Sequence, residues 1–419
     1  MNHNILKSVI LDQHNVIEKT KIINREYVFD LNANYVVVGL RRAGKSTLLY
    51  KIVKDLISSG IKWEQIIYIN FEDERLSEFS INDFNDILEV KSEMSSEPGW
   101  FFLDEIQIID GWERFARRMA DAKEHTFITG SNAKMLSNEI EARLGGRYLT
   151  KYISPYNFRE FLKAKDIPFN ENSLLGTENK GRIKKEMNEY IHFGGFPESL
   201  NLEDKREYIS SIYQKVLLND IAIRNGIRNA NGLKIMMKKL AESVKDEMSF
   251  SKLHNILKTI GISISKDSVI DYINYTKDSY LIFAVRNYFS KFVDSETTPK
   301  YYFSDNGILN LFLINEDSRL LENLAAIGLK GKNREFYYLK SADIDIDFYV
   351  PDSSTAIQVA YSINNISNRR EIDGLLKAKR KLPEIKKYKI ITYEEEAVMN
   401  IDGIEIEVIP IWKWLINSI

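Results

Sequence analysis

The chain has 419 residues with 58 Lys+Arg against 60 Asp+Glu, and a net charge of -2 excludes a surface coated throughout in phosphate-seeking charge, while leaving room for a local basic groove. A 44% hydrophobic and 28% charged composition is that of a soluble globular protein, and the length asks for two or three cores rather than one. Cysteine is absent, which excludes disulfides and thiolate metal sites; with no signal-peptide core and no apolar stretch near the roughly 20 residues of a membrane span, a cytoplasmic protein is expected.

In chain order, the first third alternates apolar runs of strand length with segments of helical period. The runs are Tyr35–Gly39 (YVVVG), Gln65–Phe71 (QIIYINF), Trp100–Asp104 (WFFLD) and His125–Gly130 (HTFITG). Between them lie stretches such as KSTLLYKIVKDLISSG, which stops at Gly60. Strands apolar on both faces that alternate with helices predict an α/β fold, a parallel sheet covered by helices.

Directly after the first run, Gly39, Gly44, Lys45 and Ser46 stand in the pattern G-x-x-x-x-G-K-[ST] and open a helix. Backbone N–H groups that curl around phosphate oxygens need positions without a Cβ, here Gly39 and Gly44. The helix that follows aims unpaired N–H groups and its dipole at the anion. The expected phosphate cradle is therefore Gly39, Leu40, Arg41, Arg42, Ala43, Gly44, Lys45, Ser46 and Thr47. In it Lys45 reaches the β/γ-phosphates and Ser46 ligates Mg2+. The alternative is a tight strand-to-helix turn whose lysine is merely solvated.

The third run ends in Asp104–Glu105. Strand C-termini of a parallel sheet converge on the ligand crevice, so Asp104 is expected on Mg2+ and Glu105 on the attacking water. Alone, such a pair would read as a helix cap or a solvated turn. The fourth run leads into Thr129, Ser131 and Asn132; Ser131 or Asn132 either orients the water or γ-phosphate, or caps the helix starting near Ala133. In EARLGGRYL, Arg143 and Arg147 flank two glycines, and either could act as a finger on transition-state charge, Arg147 before Arg143, or form a surface ion pair.

From about Ser154 the pattern turns mostly helical. Helices are expected over Gly232–Val244, Ser249–Gly261 and Ser263–Asp278, with a strand at Tyr280–Phe289, which together read as a winged helix. Its presumptive recognition helix sets Lys266 and Lys277 against Asp267, Asp271 and Asp278, without the basic surplus of a duplex reader. After Thr298 strands return in KYYFSD, EFYYLK, IDIDFYV, AIQVAYSI, KYKIITY and IEVIPIWKWLI, an α/β module of its own. The basic runs Leu233–Leu240 and Asn368–Lys389 are solvated helix faces or the best places for phosphate contacts.

Residues 25–160, through GLRRAGKST, FFLDEIQ, ITGSNAKML and RLGGRYL, resemble an AAA-type P-loop ATPase. The likeness continues through FGGFPES, LLNDIAIRN, KYYFSDNGI, IDIDFYV and IEVIPIWKWL, and is to a group of uncharacterised prokaryotic ATPases with a C-terminal domain of unknown function. It implies Walker A roles for Gly44, Lys45 and Ser46, Walker B roles for Asp104 and Glu105, a sensor near Ser131 and an arginine matching Arg147. Such proteins tend to end in a restriction-endonuclease-like, PD-(D/E)xK-type fold with a hairpin resembling E-V-D-F…E-V-K. Here Asp345 and Asp347 occupy the first strand, but Gln358 and Ala360 stand on the second. A neutral amide is a poor partner for Mg2+, and Ala360 cannot steady a pentavalent phosphate, so the module is expected to be catalytically silent. Asp343, Asp345 and Asp347 alternate on one face, which leaves a weak metal site open.

The expectation is thus an ATPase core over residues 1–155, a helical region over 156–230, a winged-helix-like region over 231–298 and a nuclease-like module over 299–419. Its function is Mg2+-dependent hydrolysis of ATP to ADP and phosphate, coupled to a DNA or protein partner, without a membrane, in a monomer or homo-oligomer. The alternatives are an ATP-regulated metal-dependent DNA nuclease, a non-hydrolytic nucleotide switch, and a DNA-binding regulator.

Overall fold

The computed structural model describes residues 1–131, 135, 138–332, 335–363 and 368–417, and divides into two compact units. Met1–Ser154 with Asp278–Tyr280 form one, Pro155–Lys277 with Leu281–Ile419 the other.

The first unit is built on β1 (Asn34–Val38), β2 (Ile66–Asn70), β3 (Trp100–Asp104), β4 (His125–Gly130) and β5 (Tyr148–Tyr152). All pair in parallel, in the order β2-β3-β4-β1-β5. Its helices are α1 (His3–Lys19), α2 (Lys45–Ser58), α3 (Phe84–Met94), α4 (Trp112–Asp121) and α5 (Asn138–Leu144). Alternate strand residues feed two cores. Val36, Val38, Ile67, Ile69, Phe101 and Leu103 pack with α1, α3 and α4, while Tyr35, Val37, Tyr68, Phe102 and Phe127 pack with α2. Both faces are dry, which is why four of these strands read as unbroken apolar runs. The fifth, β5, is an edge strand with two exposed and three half-buried residues, so YLTKY carries no such signal and went unread.

The second unit begins with α6 (Phe158–Ala164), α7 (Glu171–Leu175), α8 (Thr177–Phe193) and α9 (Lys205–Lys215), which runs on into a π-helix over Val216–Ile223. Next come α10 (Ala230–Glu242), α11 (Phe250–Thr259) and α12 (Lys266–Asp278). The strands β6 (Ile282–Val285) and β7 (Lys300–Phe303) form an antiparallel ribbon, with α13 (Phe292–Thr297) between them. Two further helices, α14 (Asn306–Asn310) and α15 (Asp317–Lys330), precede the second sheet.

That sheet comprises β8 (Tyr337–Lys340), β9 (Asp345–Val350), β10 (Thr355–Val359), β11 (Lys387–Thr392), β12 (Ala397–Ile401) and β13 (Ile404–Pro410). The order is β12-β13-β11-β10-β9-β8. Strands β8, β9 and β10 run antiparallel, β10, β11 and β13 parallel, and α16 (Asn368–Lys381) crosses from β10 to β11. Three sequence expectations need correction. The last apolar run is not all strand: Pro410 closes β13 and Ile411–Ile416 form α17. The strand expected over Tyr280–Phe289 shrinks to four residues. Asp343 precedes β9, is exposed and lies 3.5 Å from Lys381, so it does not share a strand face with Asp347.

The segments FGGFPES and KYYFSDNGI meet inside this unit. Asp305 accepts hydrogen bonds from the N–H groups of Gly195 (2.8 Å), Gly307 (2.8 Å) and Ile308 (3.3 Å), capping α14 and pinning the glycine turn. Gly194 has φ +70°, and a Cβ there would fall 2.1 Å from the Asp305 carboxylate, so the turn tolerates only glycine. Asn306 and Asn323 tie the same corner to the carbonyls of Ile191, Leu320 and Phe303. These residues hold a buried polar corner together.

Candidate active site

The site grows from the loop between β1 and α2. Gly39 has φ +150°, and a Cβ on it would lie 2.0 Å from the Ile153 carbonyl oxygen, because that edge of the chain crosses tight against the loop. Gly44 is left-handed at φ 92° and starts α2 with no side-chain cap, leaving the first helical N–H groups facing the loop's hollow. Leu40 and Ala43 are buried and anchor the loop, while Arg42, at φ 64°, is exposed and takes the strained conformation. Arg25 was missed from the sequence. Its guanidinium donates to the Ala43 carbonyl and the Ser154 carbonyl, both at 2.8 Å, fixing the loop from behind. Nothing in its local sequence marks it, since its partners are backbone atoms remote in the chain.

Lys45 is 4% exposed. Its Nζ donates to the carbonyls of Gly39 (3.3 Å) and Leu40 (3.4 Å) and lies 3.6 Å from a Glu105 oxygen. The sheet order explains that meeting: β4 separates β1 from β3, so Thr129 and Ser131 at its end stand beside the acids. Asp104, fully buried, accepts from the Thr129 hydroxyl, from Tyr68 OH at 2.8 Å and from the Ser46 hydroxyl. Burial and the neighbouring Glu105 nonetheless raise its pKa. Glu105 takes a left-handed φ of 54°, with its N–H donating to Thr129 Oγ1 at 2.9 Å. Its carboxylate accepts from Gln107 and from Ser131 Oγ at 3.1 Å. Burial would raise its pKa, but Lys45, Gln107, Arg41 and Ser131 together hold it below the ordinary glutamate range, so it is ionised at neutral pH. Arg41 also pairs with Glu72 at 2.6 Å. Thr129, Tyr68 and Gln107 thus position the acids; the polar strand end TGS was the one signal that could have found Thr129.

Lys45, Ser46, Asp104, Glu105 and Ser131 therefore converge, and Thr47 lies in the first turn of α2 behind them. Asn132 lies outside the described residues. Arg143 and Arg147 are engaged by α4, Arg143 with the buried Glu113 and Arg147 with Asp121 at 2.5 Å. Tyr148 pairs with Asn34 and Tyr152 with Val38, so Arg147 precedes the start of β5 while Gly39 follows the end of β1. That separation, six residues along the parallel strands, is about 20 Å.

A second group of acids lies in the C-terminal sheet. The Asp347 carboxylate accepts from Val359 N–H at 2.9 Å and lies 3.6 Å from Lys300 Nζ. Lys300, on β7 and 2% exposed, also faces the fully buried Glu322 at 3.8 Å. Gln358 spends both ends of its amide: its oxygen accepts from Asp347 N–H at 2.9 Å, and its nitrogen donates to the Glu371 carboxylate and the Asp345 carbonyl. Ala360 packs against the core beneath α16.

Residues 32–162 match the family described as an AAA domain, and residues 184–319 match a domain of unknown function. An uncharacterized protein of Methanocaldococcus jannaschii is 34% identical over 98% of this chain and 95% of its own. One of Haemophilus influenzae is 31% identical over 91% and 94% respectively. Among solved structures, a Walker-type ATPase of Pyrococcus abyssi aligns over 71% of this chain and 100% of its own, at 14% identity and a TM-score of 0.39. The chain belongs to the family of the two full-length uncharacterized relatives, and its first unit carries an AAA domain.

Proposed function

We propose that the protein binds ATP in the loop Gly39–Thr47 and hydrolyses it to ADP and phosphate. The carrying observation is the approach of Lys45 Nζ to within 3.6 Å of Glu105, at the mouth of an uncapped helix. Lys45 and the first N–H groups of α2 draw in the β- and γ-phosphates, and Ser131, bonded to Glu105, faces the same crevice. Glu105, ionised and steered by Gln107 and Ser131, orients a water and accepts its proton as the bond to the γ-phosphorus forms and that to the β–γ bridging oxygen breaks. The hydroxyl of Ser46 and the carboxylate of Asp104 are hard oxygen donors in hydrogen-bond contact, a set that suits Mg2+. When bound, the ion supplies charge neutralisation of the phosphates.

On this reading the winged-helix-like region around α10–α12 and the β6–β7 ribbon, and the restriction-endonuclease-like sheet that follows, couple nucleotide state to a partner. The occupied amide of Gln358 and the Lys300 ammonium between Asp347 and Glu322 support a catalytically silent module. The test is phosphate release by the wild type and by Glu105→Gln, with nucleotide binding followed in parallel. Binding with slow release in Glu105→Gln is the expected result. Wild-type turnover in that variant would remove the role given to Glu105.

A further inference from the structure

The face of the C-terminal sheet turned away from Asp347 and Gln358 carries chemistry of another kind. β10 and β11 start side by side, with Thr355 in register with Lys387 and Ile357 with Lys389. Residues two apart on a strand share a face, so these four stand together, opposite to Ala356 and Gln358. They line a cavity of about 260 Å³ together with Lys332, Ser353 and Trp414.

The walls are built. A Cβ at Gly328 would come within 2.6 Å of the Trp414 ring, so α15 carries a glycine where the indole of α17 lies against it. Lys332 Nζ sits 4.8 Å from the centroid of that indole, held by its π face. The hydroxyls of Ser353 and Thr355 are 2.8 Å apart. Lys389 is balanced by Glu407 at 2.7 Å, yet among the described residues no carboxylate lines the cavity itself. Three ammonium groups around one small hollow, that of Lys389 paired with Glu407, favour an anion, and lysine recognises phosphate as a point charge.

Two observations separate a polyanion from a lone small molecule. The cavity falls below the roughly 300–1,000 Å³ of sites that enclose a whole drug-sized ligand. Lys387 is itself exposed, so the hollow meets solvent where the next phosphate of a strand would lie. We propose that this lysine-lined cavity between β10, β11 and α17 is a phosphate-binding site for a nucleic-acid strand. It gives the partner a place of contact and does not rest on ATP hydrolysis.

The test is anisotropy of a fluorescent single-stranded oligonucleotide with the full chain, across a salt series. Running it also in Lys45→Ala keeps binding at the Gly39–Thr47 loop from being mistaken for it. The double variant Lys387→Ala/Lys389→Ala is expected to weaken binding about tenfold and to flatten the slope of log affinity against log salt by roughly 1.4, or 0.7 per lost phosphate contact. Lys180→Ala, an exposed lysine on α8 outside both basic runs, is the control and leaves both unchanged. Equal affinity and slope in the double variant, or an equal loss in the control, overturns the proposal. Calorimetry with AMP in Lys45→Ala settles the source: AMP binding that needs Lys387 and Lys389, without oligonucleotide binding, keeps a phosphate site and overturns the strand as its occupant. Phosphate release by the double variant at the wild-type rate keeps any failure here apart from failure of the ATPase reading.

Discussion

Lys45 lies 3.6 Å from Glu105, just past the end of β3, and Lys300 lies 3.6 Å from Asp347, within the internal strand β9. Their surroundings differ in what is left over. Lys45 sits in a loop whose glycines leave backbone N–H groups facing a hollow, and its carboxylate is steered by Gln107 and Ser131. Lys300 is walled in by Glu322, Asp347 and the ring of Tyr338, and the nearby Gln358 amide is fully used. On the proposed reading, an ion pair serves chemistry where helix-start N–H groups face an incoming anion, and serves structure where carboxylates and an aromatic ring close round the ammonium.

The sharpest break of that contrast is Lys45→Ala, expected to abolish nucleotide binding and to cut phosphate release by at least about 10³-fold. Equilibrium binding of a fluorescent ATP analogue checks it, and retained binding would mean that the loop's amides suffice alone. Glu105→Gln is expected to keep binding and lose about 10²–10³-fold in turnover. Because the folded pKa of Glu105 is depressed, its charge favours the folded state above its unfolded value of about 4.3, and this is lost as pH falls through the folded value. The rate therefore shows no acid limb from Glu105 above about 4.3; a limb near pH 6 that Glu105→Gln removes would contradict the assignment.

On the closed side, Lys300→Met leaves Asp347 without its ammonium and Glu322 with Lys245 alone, a loss of about 3–5 kcal/mol for a buried pair. Thermal unfolding measures it. Adding Glu322→Gln should recover much of the loss, since the uncompensated charge goes with it. Phosphate release per folded molecule stays unchanged if that cluster is structural. A smaller effect is expected for Thr129→Val, which removes a hydroxyl shared by Asp104 and the Glu105 N–H and costs about 1–3 kcal/mol. A drop in turnover larger than the drop in nucleotide binding would separate positioning from mere stability.

How far the sequence carried these sites follows from the range of their contacts. Gly39–Thr47 and Asp104–Glu105 were legible as a cluster because their placement is set by strand ends and a helix start, features a few residues long. Thr129 was visible only as polarity after an apolar run, and Arg25 not at all, because its partners Ala43 and Ser154 are backbone carbonyls far along the chain. The edge strand β5 had no dry face to betray it. Lys300 could not be tied to Asp347 by spacing, since β7 and β9 meet only through the fold.

Arg147 tests the smallest effect. It is bound to Asp121 at the start of β5, a strand's length from the loop after β1. A half-exposed ion pair of this kind contributes about 0–1 kcal/mol. In dilute protein shown by light scattering to be monomeric, Arg147→Ala should therefore leave phosphate release within about threefold of wild type, a change under 1 kcal/mol in barrier. A loss of tenfold or more that appears only as concentration drives assembly would mean that the guanidinium acts on a neighbouring copy's phosphate. The same loss in the monomer would require α4 and β5 to release Arg147 toward its own crevice, against the geometry that holds it.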